Sequence, residues 1–412
     1  MEAADTAWIL AAFALVTLMF PGLALLYGGM LNSRNVLNMF MMIMGALGVT
    51  TVVYIVIGHG LVTGDSVGGW GIIGNPFEYA TYQQFTQDDG AGGTLWGAFY
   101  ILFAAISVAL VASGGAARMK FGAWLVFCAL WVLLVYAPLG HWVFAVSDPE
   151  TGYVGGWMRN VLDLHDFAGG TAVHMNAGAA GLALALVLGA RKSTADRPHN
   201  LPLVLIGTGL IVAGWMGFNG GTAGGANFLA EYVILTSIIA AASGMLGFLI
   251  VERLRDGQAT MLGMATGMIA GLVGITPSAD AVTPLGAMFV GLLSSAATAW
   301  AITWKRRHQI DDSLDVFAVH GIAGIVGALF VVFFGAASAP AGIAGVVFGG
   351  DVSLIWRELV AITVTLVYAF GMTWLIATVM KKIAPIRVDD EAEALGLDQS
   401  IHAESAYEQS RI

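Results

Sequence analysis

Residues 166–178 read Asp-Phe-Ala-Gly-Gly-Thr-Ala-Val-His-Met-Asn-Ala-Gly, and the chain stays apolar from there as far as residue 190. A run of this length with one acidic residue at its start and one histidine inside it predicts a helix that crosses a bilayer. His174 lies eight residues into that run, about 12 Å down at 1.5 Å per residue, near the middle of a hydrocarbon layer of about 30 Å. The stretch has an echo, in which Asp315-Val316-Phe317 leads to His320-Gly321-Ile322-Ala323-Gly324 with an Asp-to-His spacing of five rather than eight. Glycine-rich helix ends supply a weaker echo, Tyr27-Gly28-Gly29-Met30-Leu31-Asn32 against Phe218-Asn219-Gly220-Gly221.

Working outward, polar punctuation divides the chain into eleven apolar spans, at 7–31, 36–62, 94–116, 121–147, 166–190, 200–221, 228–251, 258–276, 283–304, 315–335 and 355–380. The expected fold is therefore an all-α polytopic membrane protein. Five is an odd number, so a repeat of spans 1–5 in spans 6–10 enters the membrane from the opposite side, as an inverted repeat. The eleventh span stands outside the repeat and is expected to brace the two halves. Residues 1–387 form the transmembrane domain in this reading, and 388–412 a charged tail.

Composition agrees. A chain of 412 residues that is 58% hydrophobic, 11% charged and holds 55 glycines has more apolar surface than one soluble core can hide. Small residues let membrane helices approach closely. The lone Cys128 sits in an apolar run, which rules out an intrachain disulfide and a thiolate metal cluster. The acidic start, with Glu2 and Asp5 and no basic residue before the first run, argues against a cleaved signal and for a true first span.

The basic residues set the orientation. Arg34, Arg118, Lys120, Arg191, Lys192, Arg197, Arg253, Arg255, Lys305, Arg306, Arg307, Lys381, Lys382, Arg387 and Arg411 fall on one side of the layout, against Arg159 and Arg357 on the other, a split of 15 to 2. The positive-inside rule then places the N terminus outside and the C terminus in the cytoplasm of a cell membrane. The longest outer loop, 64–93, carries Asp65, Glu78, Asp88 and Asp89. It reads either as a cation-gathering face or as ordinary solvated loop.

Among the ionisable residues inside spans, four stand out as functional candidates: Asp166, His174, Asp315 and His320. Two imidazoles brought together by the repeat would share a proton and hydrogen-bond a small polar solute, whereas a single buried histidine is as readily a packing residue. Asp166 and Asp315 have a plainer reading as caps of their helices. Phe99 and Phe103 share a helix face at i and i+4, Trp142 and Phe144 close span 4, and Trp215, Phe218 and Thr222 line up toward the outer end of span 6. Such rings are ordinarily belt or core, yet a ring face at a dry vestibule also attracts a small cation.

These strings resemble the ammonium transporter, methylammonium permease and Rhesus family, on its ammonium transporter branch. The likeness rests on Asp166 to His174, on Gly214-Trp215-Met216-Gly217-Phe218-Asn219-Gly220-Gly221, on Pro198-His199-Asn200-Leu201-Pro202 and on Asp315 to Gly324, and it covers nearly the whole chain. It implies that His174 and His320 are paired pore histidines, Phe103 and Phe218 a stacked ring gate, and Trp215 a pore-lining residue. Asp166 would support an outer recruitment site formed with Phe103, Phe144 and Thr222, and Phe99 and Asp315 would play supporting parts. The resemblance further implies a homotrimer with one pore per subunit, ammonium or ammonia as solute with methylammonium a further candidate, no cofactor, no nucleic acid and no enzymatic activity. The tail from Gly396 to Tyr407 is similar to the family's cytoplasmic end, which in many members contacts PII-type regulatory proteins.

Three positions depart from the family pattern: Phe144 stands in place of the usual vestibule Trp, Thr222 in place of the usual Ser, and Ala117 in place of the acidic residue before Arg118. Two rival readings are a membrane ammonium sensor whose tail reports occupancy, and a metalloenzyme with His174 and His320 as ligands. The second has too few ligands for a metal site.

Overall fold

The structure is a computed structural model that describes residues 1–88, 90, 92–192 and 198–407. Asp89, Arg197 and Arg411 lie outside the described residues. The membrane-spanning helices are α1 (Ala3–Met30), α2 (Val36–Thr63), α3 (Gly93–Gly115), α4 (Phe121–Phe144), α5 (Gly170–Leu188), α6 (Leu201–Thr222), α7 (Phe228–Asp256), α8 (Met261–Ile275), α9 (Pro284–Arg307), α10 (Phe317–Phe334) and α11 (Ser353–Ile383). Two short helices follow in the tail, α12 (Asp390–Leu395) and α13 (Leu397–His402).

Ten of the eleven are long and apolar enough to cross a membrane, and α8 is the exception at 15 residues. Its outer end is finished by irregular chain, Thr276 to Val282, that is almost wholly buried. Irregular backbone survives at membrane depth only where protein supplies its hydrogen bonds. Here Thr276 and Pro277 carbonyls accept from Ala168 and Phe167 amides at 3.1 and 3.2 Å, and the Thr236 and Tyr232 hydroxyls donate to Ala279 and Val282 carbonyls at 2.8 and 2.9 Å.

Two prolines shape the helices that carry them. Pro21 crowds the carbonyl four residues back, and α1 is interrupted there, between Thr17 and Met19. Pro138 does the same to Leu134 in α4, where the helix widens to π geometry over Val132–Tyr136. The freed Leu134 carbonyl accepts the Tyr368 hydroxyl of α11 at 2.8 Å, so the eleventh helix repairs the break. At 31 residues α11 is roughly 46 Å long, more than the hydrocarbon thickness, and lies along α5, α10 and α4 as the expected brace.

The two halves meet at glycines. A Cβ on Gly178 of α5 would stand 2.4 Å from the Gly321 nitrogen of α10, and one on Gly207 of α6 would stand 2.5 Å from the Gly22 carbonyl oxygen of α1. Backbone-to-backbone crossings of this kind pair helix 1 with 6 and helix 5 with 10, as the inverted repeat requires. Both α5 and α10 open with π turns, Gly170–Met175 and Phe317–Ile322, and each π turn contains its helix's histidine.

The tail is docked. The Asp398 carboxylate accepts the Val36 and Asn38 amides at 3.0 and 2.8 Å and thereby caps α2. Around it Arg34 donates to the Ala394 carbonyl at 2.8 Å, the Leu397 amide donates to the Asn35 side chain at 2.9 Å, and His199 meets the Tyr407 hydroxyl at 2.8 Å.

Candidate functional site

On the face that carries the 64–93 loop, the outer one in the sequence reading, a cavity of about 370 Å³ opens between α2, α3, α4 and α6, with Trp96, Phe99, Tyr100, Phe103, Phe144 and Thr222 among its lining. The i, i+4 spacing read from sequence puts Phe99 and Phe103 side by side, their rings 5.0 Å apart. Phe144 presents its edge to Phe103 at 6.4 Å. Thr222 turns its hydroxyl back onto the Phe218 carbonyl at 2.8 Å, leaving the oxygen's lone pairs for the cavity. Trp142 points away, donating to the Ile72 carbonyl at 2.6 Å.

The floor of this cavity is a pair of rings. Phe103 and Phe218 stack at 4.0 Å with 9° between their planes. Directly beneath, His174 lies 6.2 Å from Phe218 and 5.2 Å from Trp215, whose ring is held by a 2.9 Å bond from Nε1 to the Thr276 hydroxyl.

His174 and His320 share a hydrogen bond between their Nδ1 atoms at 3.2 Å, and both are buried. A bond between two Nδ1 atoms needs a proton on one and a lone pair on the other. The neutral pair therefore shows the lumen one bare Nε2 and one Nε2–H, an acceptor and a donor side by side. The His174 Nε2 has no protein partner. Below, a narrow cavity of about 40 Å³ runs inward past Trp215, Leu23, Ile106, Tyr27 and Asp315.

Asp166 does not line either cavity. Its two oxygens accept the amides of Gly169, Gly170, Thr171 and Ala172 at 3.0, 2.7, 2.8 and 3.3 Å, so it caps α5. Gly169 adopts φ +105°, and a Cβ there would meet the Phe144 ring at 3.2 Å. The capped turn thus sits directly behind the vestibule wall.

The expected match of Asp315 to Asp166 is corrected by the structure. Asp312 takes that place: it stands eight residues before His320 as Asp166 stands eight before His174, it accepts the Phe317 amide at 3.0 Å, and it receives the Ser113 hydroxyl at 2.9 Å. Asp315, at φ +62°, reaches the inner mouth instead and pairs with Lys305 at 2.5 Å. Equal spacing from the histidines was the signal in the sequence; the shared Asp-to-Phe order pointed to the wrong acid.

At the opposite face, where the family likeness implied an acid at position 117, the counter-charge for Arg118 comes from the other half. Arg118, fully buried, pairs with Asp311 at 2.6 Å, and Arg191 joins the same carboxylate at 2.9 Å. Burial alone would raise the Asp311 carboxyl, but the hydrogen bonds and charges of Arg191 and Arg118 outweigh it and hold it at about 2. No group of three or more His, Cys, Asp or Glu side chains fit to hold a metal occurs among the described residues.

With this geometry in view, comparison with known proteins is decisive. Residues 7–407 match the model of the Ammonium Transporter Family. The chain belongs to that family. An ammonium transporter of Corynebacterium glutamicum is 67% identical over 407 residues, which span 99% of this chain and 90% of the relative. One from Bacillus subtilis is 39% identical, with both chains covered in full. Among solved structures, Saccharomyces cerevisiae Mep2 superposes with a TM-score of 0.83 at 30% identity, over 95% of this chain and 88% of that one. A sensor Amt protein superposes with a TM-score of 0.87 at 26% identity, over 97% and 98%. The stacked rings and joined imidazoles are thus features of an ammonium transporter family member, and ammonium transport is its function.

Proposed function

We propose that this ammonium transporter draws ammonium into the outer vestibule, strips its proton there, and passes ammonia along the histidine pair while the proton moves separately. One observation carries the reading: a stacked ring pair closes the floor of the vestibule cavity, and a hydrogen-bonded imidazole pair lies immediately beneath it.

The vestibule attracts the cation through ring faces, the Thr222 oxygen and the field of the Asp166 carboxylate behind Phe144. For an amine of lysine-like basicity, giving up a proton at pH 7 costs roughly 3 pKa units, about 4 kcal/mol. Carrying a bare charge to mid-membrane costs from about 3 to more than 10 kcal/mol. Deprotonation is the cheaper course over most of that range. Past the gate, ammonia donates to the bare Nε2 of one imidazole and accepts from the Nε2–H of the other, so its lone pair and one of its three N–H groups are satisfied in an otherwise apolar lumen.

The reading includes a homotrimer with a pore in each subunit, the N terminus outside and the C terminus in the cytoplasm, the last two supported by the 15-to-2 split of basic residues. The docked tail is the surface a PII-type protein would engage. The sensor reading is its alternative. The test is current and uptake in proteoliposomes after an ammonium jump, with potassium at equal ionic strength as control. Ammonium-specific current supports ammonia passage with a following proton, uptake without current leaves the neutral route alone, and silence in both overturns transport in favour of the sensor.

A further inference from the structure

Arg159 and Arg357, the two basic residues that fall outside the cytoplasmic side of the sequence layout, are 198 positions apart and line one cavity. This cavity, about 290 Å³, lies off the pore, between the loop leading into α5, the outer end of α10 and the first turns of α11. Its deepest polar residue is Glu358, 4% exposed, whose Oε1 has no hydrogen-bond partner. Arg357 precedes it on α11, but consecutive helix residues do not face each other. Arg357 instead points at Asp163, 3.5 Å away, and Arg159 donates to the Leu164 carbonyl at 3.0 Å. His165, also in the wall, is bonded to Asp280 at 2.8 Å.

A buried carboxyl without a partner is expensive, and in a membrane protein its lack of a partner calls for a ligand or water. Above, Asp163 pairs with Arg357 but Arg159 makes its bond to a carbonyl, so the upper part keeps a positive charge that disfavours a lone cation, and the Glu358 carboxylate below disfavours a lone anion. A molecule carrying both charges satisfies both. We propose that this cavity is a binding site for a small zwitterion with a primary ammonium group, of the α-amino acid class, whose ammonium group is held by Glu358 and whose carboxylate is held by Arg159 and Arg357. The order of exposure fits entry from the outer solution ammonium-first: the Arg357 side chain is 29% exposed and Glu358 is sunk beneath it. A phosphatidylethanolamine headgroup shares the chemistry but would present its phosphate, not its ammonium, on the deeper side.

The experiment is calorimetric titration of glycine into the intact protein, in detergent and in phosphatidylcholine vesicles, against N,N,N-trimethylglycine, which keeps both charges and loses the N–H donors. Glycine binds, and trimethylglycine, E358Q and R357Q each weaken binding by roughly tenfold or more, with ammonium uptake unchanged in both variants. Equal glycine affinity in E358Q, or no glycine binding in either medium, overturns the proposal. Protection of the protein by phosphatidylethanolamine but not by glycine also overturns it, in favour of a lipid. E358Q is isosteric, and an unaltered elution volume shows that a loss is local.

Discussion

At the scale of single residues, the imidazole pair sets the sharpest expectations. His174→Ala leaves His320 Nδ1 without its partner and opens the lumen to water. Selective ammonium uptake in proteoliposomes is expected to fall to background while the protein still elutes as the wild type does, and wild-type uptake in this variant would remove the relay. Phe144→Trp enlarges the aromatic face toward the vestibule and is expected to lower the half-saturation for ammonium, Trp being the better cation-attracting ring. An unchanged value would show the departure to be silent. Ala117 is one of the described non-glycine residues at positive φ, +59°. Ala117→Gly removes that strain and is expected to raise thermal stability by up to about 1 kcal/mol, read as a higher melting temperature.

At the scale of elements, the exchange of Asp315 for Asp312 divides two otherwise similar carboxylates. Asp312→Asn takes the charged cap from the Phe317 amide and the partner from Ser113, and is expected to disturb the π turn that holds His320, lowering uptake sharply. Asp315→Asn removes one of the two carboxylates beside Lys305, which keeps Asp312, and leaves that turn capped, so uptake falls less. The reverse order, measured side by side, would restore the assignment made from sequence. Helix positions were legible in the sequence because lipid imposes a simple rule on apolar run length. The outer end of α8 was not, since its irregular backbone is satisfied by Ala168, Phe167, Thr236 and Tyr232, residues far away in sequence. His174 was legible as one of a matched pair of intramembrane histidines, whereas Phe103, Phe218 and Trp215 were joined into a pathway through the family likeness, ring spacing alone leaving belt or core as the ordinary reading. Glu358 escaped notice because it falls at the start of the last span, where a glutamate reads as interfacial.

At the scale of the whole molecule, the inner face is held by long-range ion pairing. Asp311 gathers Arg118 from the first half and Arg191 from the link between halves. Its folded pKa of about 2 lies below the ordinary 3.8. A depressed acid stabilises the fold above its unfolded value and loses that contribution as pH falls through the folded one. The hub is therefore expected to give up about 2 kcal/mol between pH 4 and about 2, on the linkage relation. In Asp311→Asn this part of the acid dependence is absent, and at neutral pH the protein is less stable by several kcal/mol because Arg118 stays buried without a counter-charge. Thermal unfolding across pH in the two proteins reads both effects.

Among the described contacts, the cap of α2 has a bearing on how the protein is made. The amides of Val36 and Asn38 are filled by Asp398, some 360 positions later. During synthesis the second helix is made long before its cap exists, and its amide end stays open until residue 398 has been added. A chain that stops short of Asp398 carries that open end for good. Every product truncated before Asp398 thus differs from the finished protein by an uncapped second helix, a mark of incompleteness that lies away from the pore.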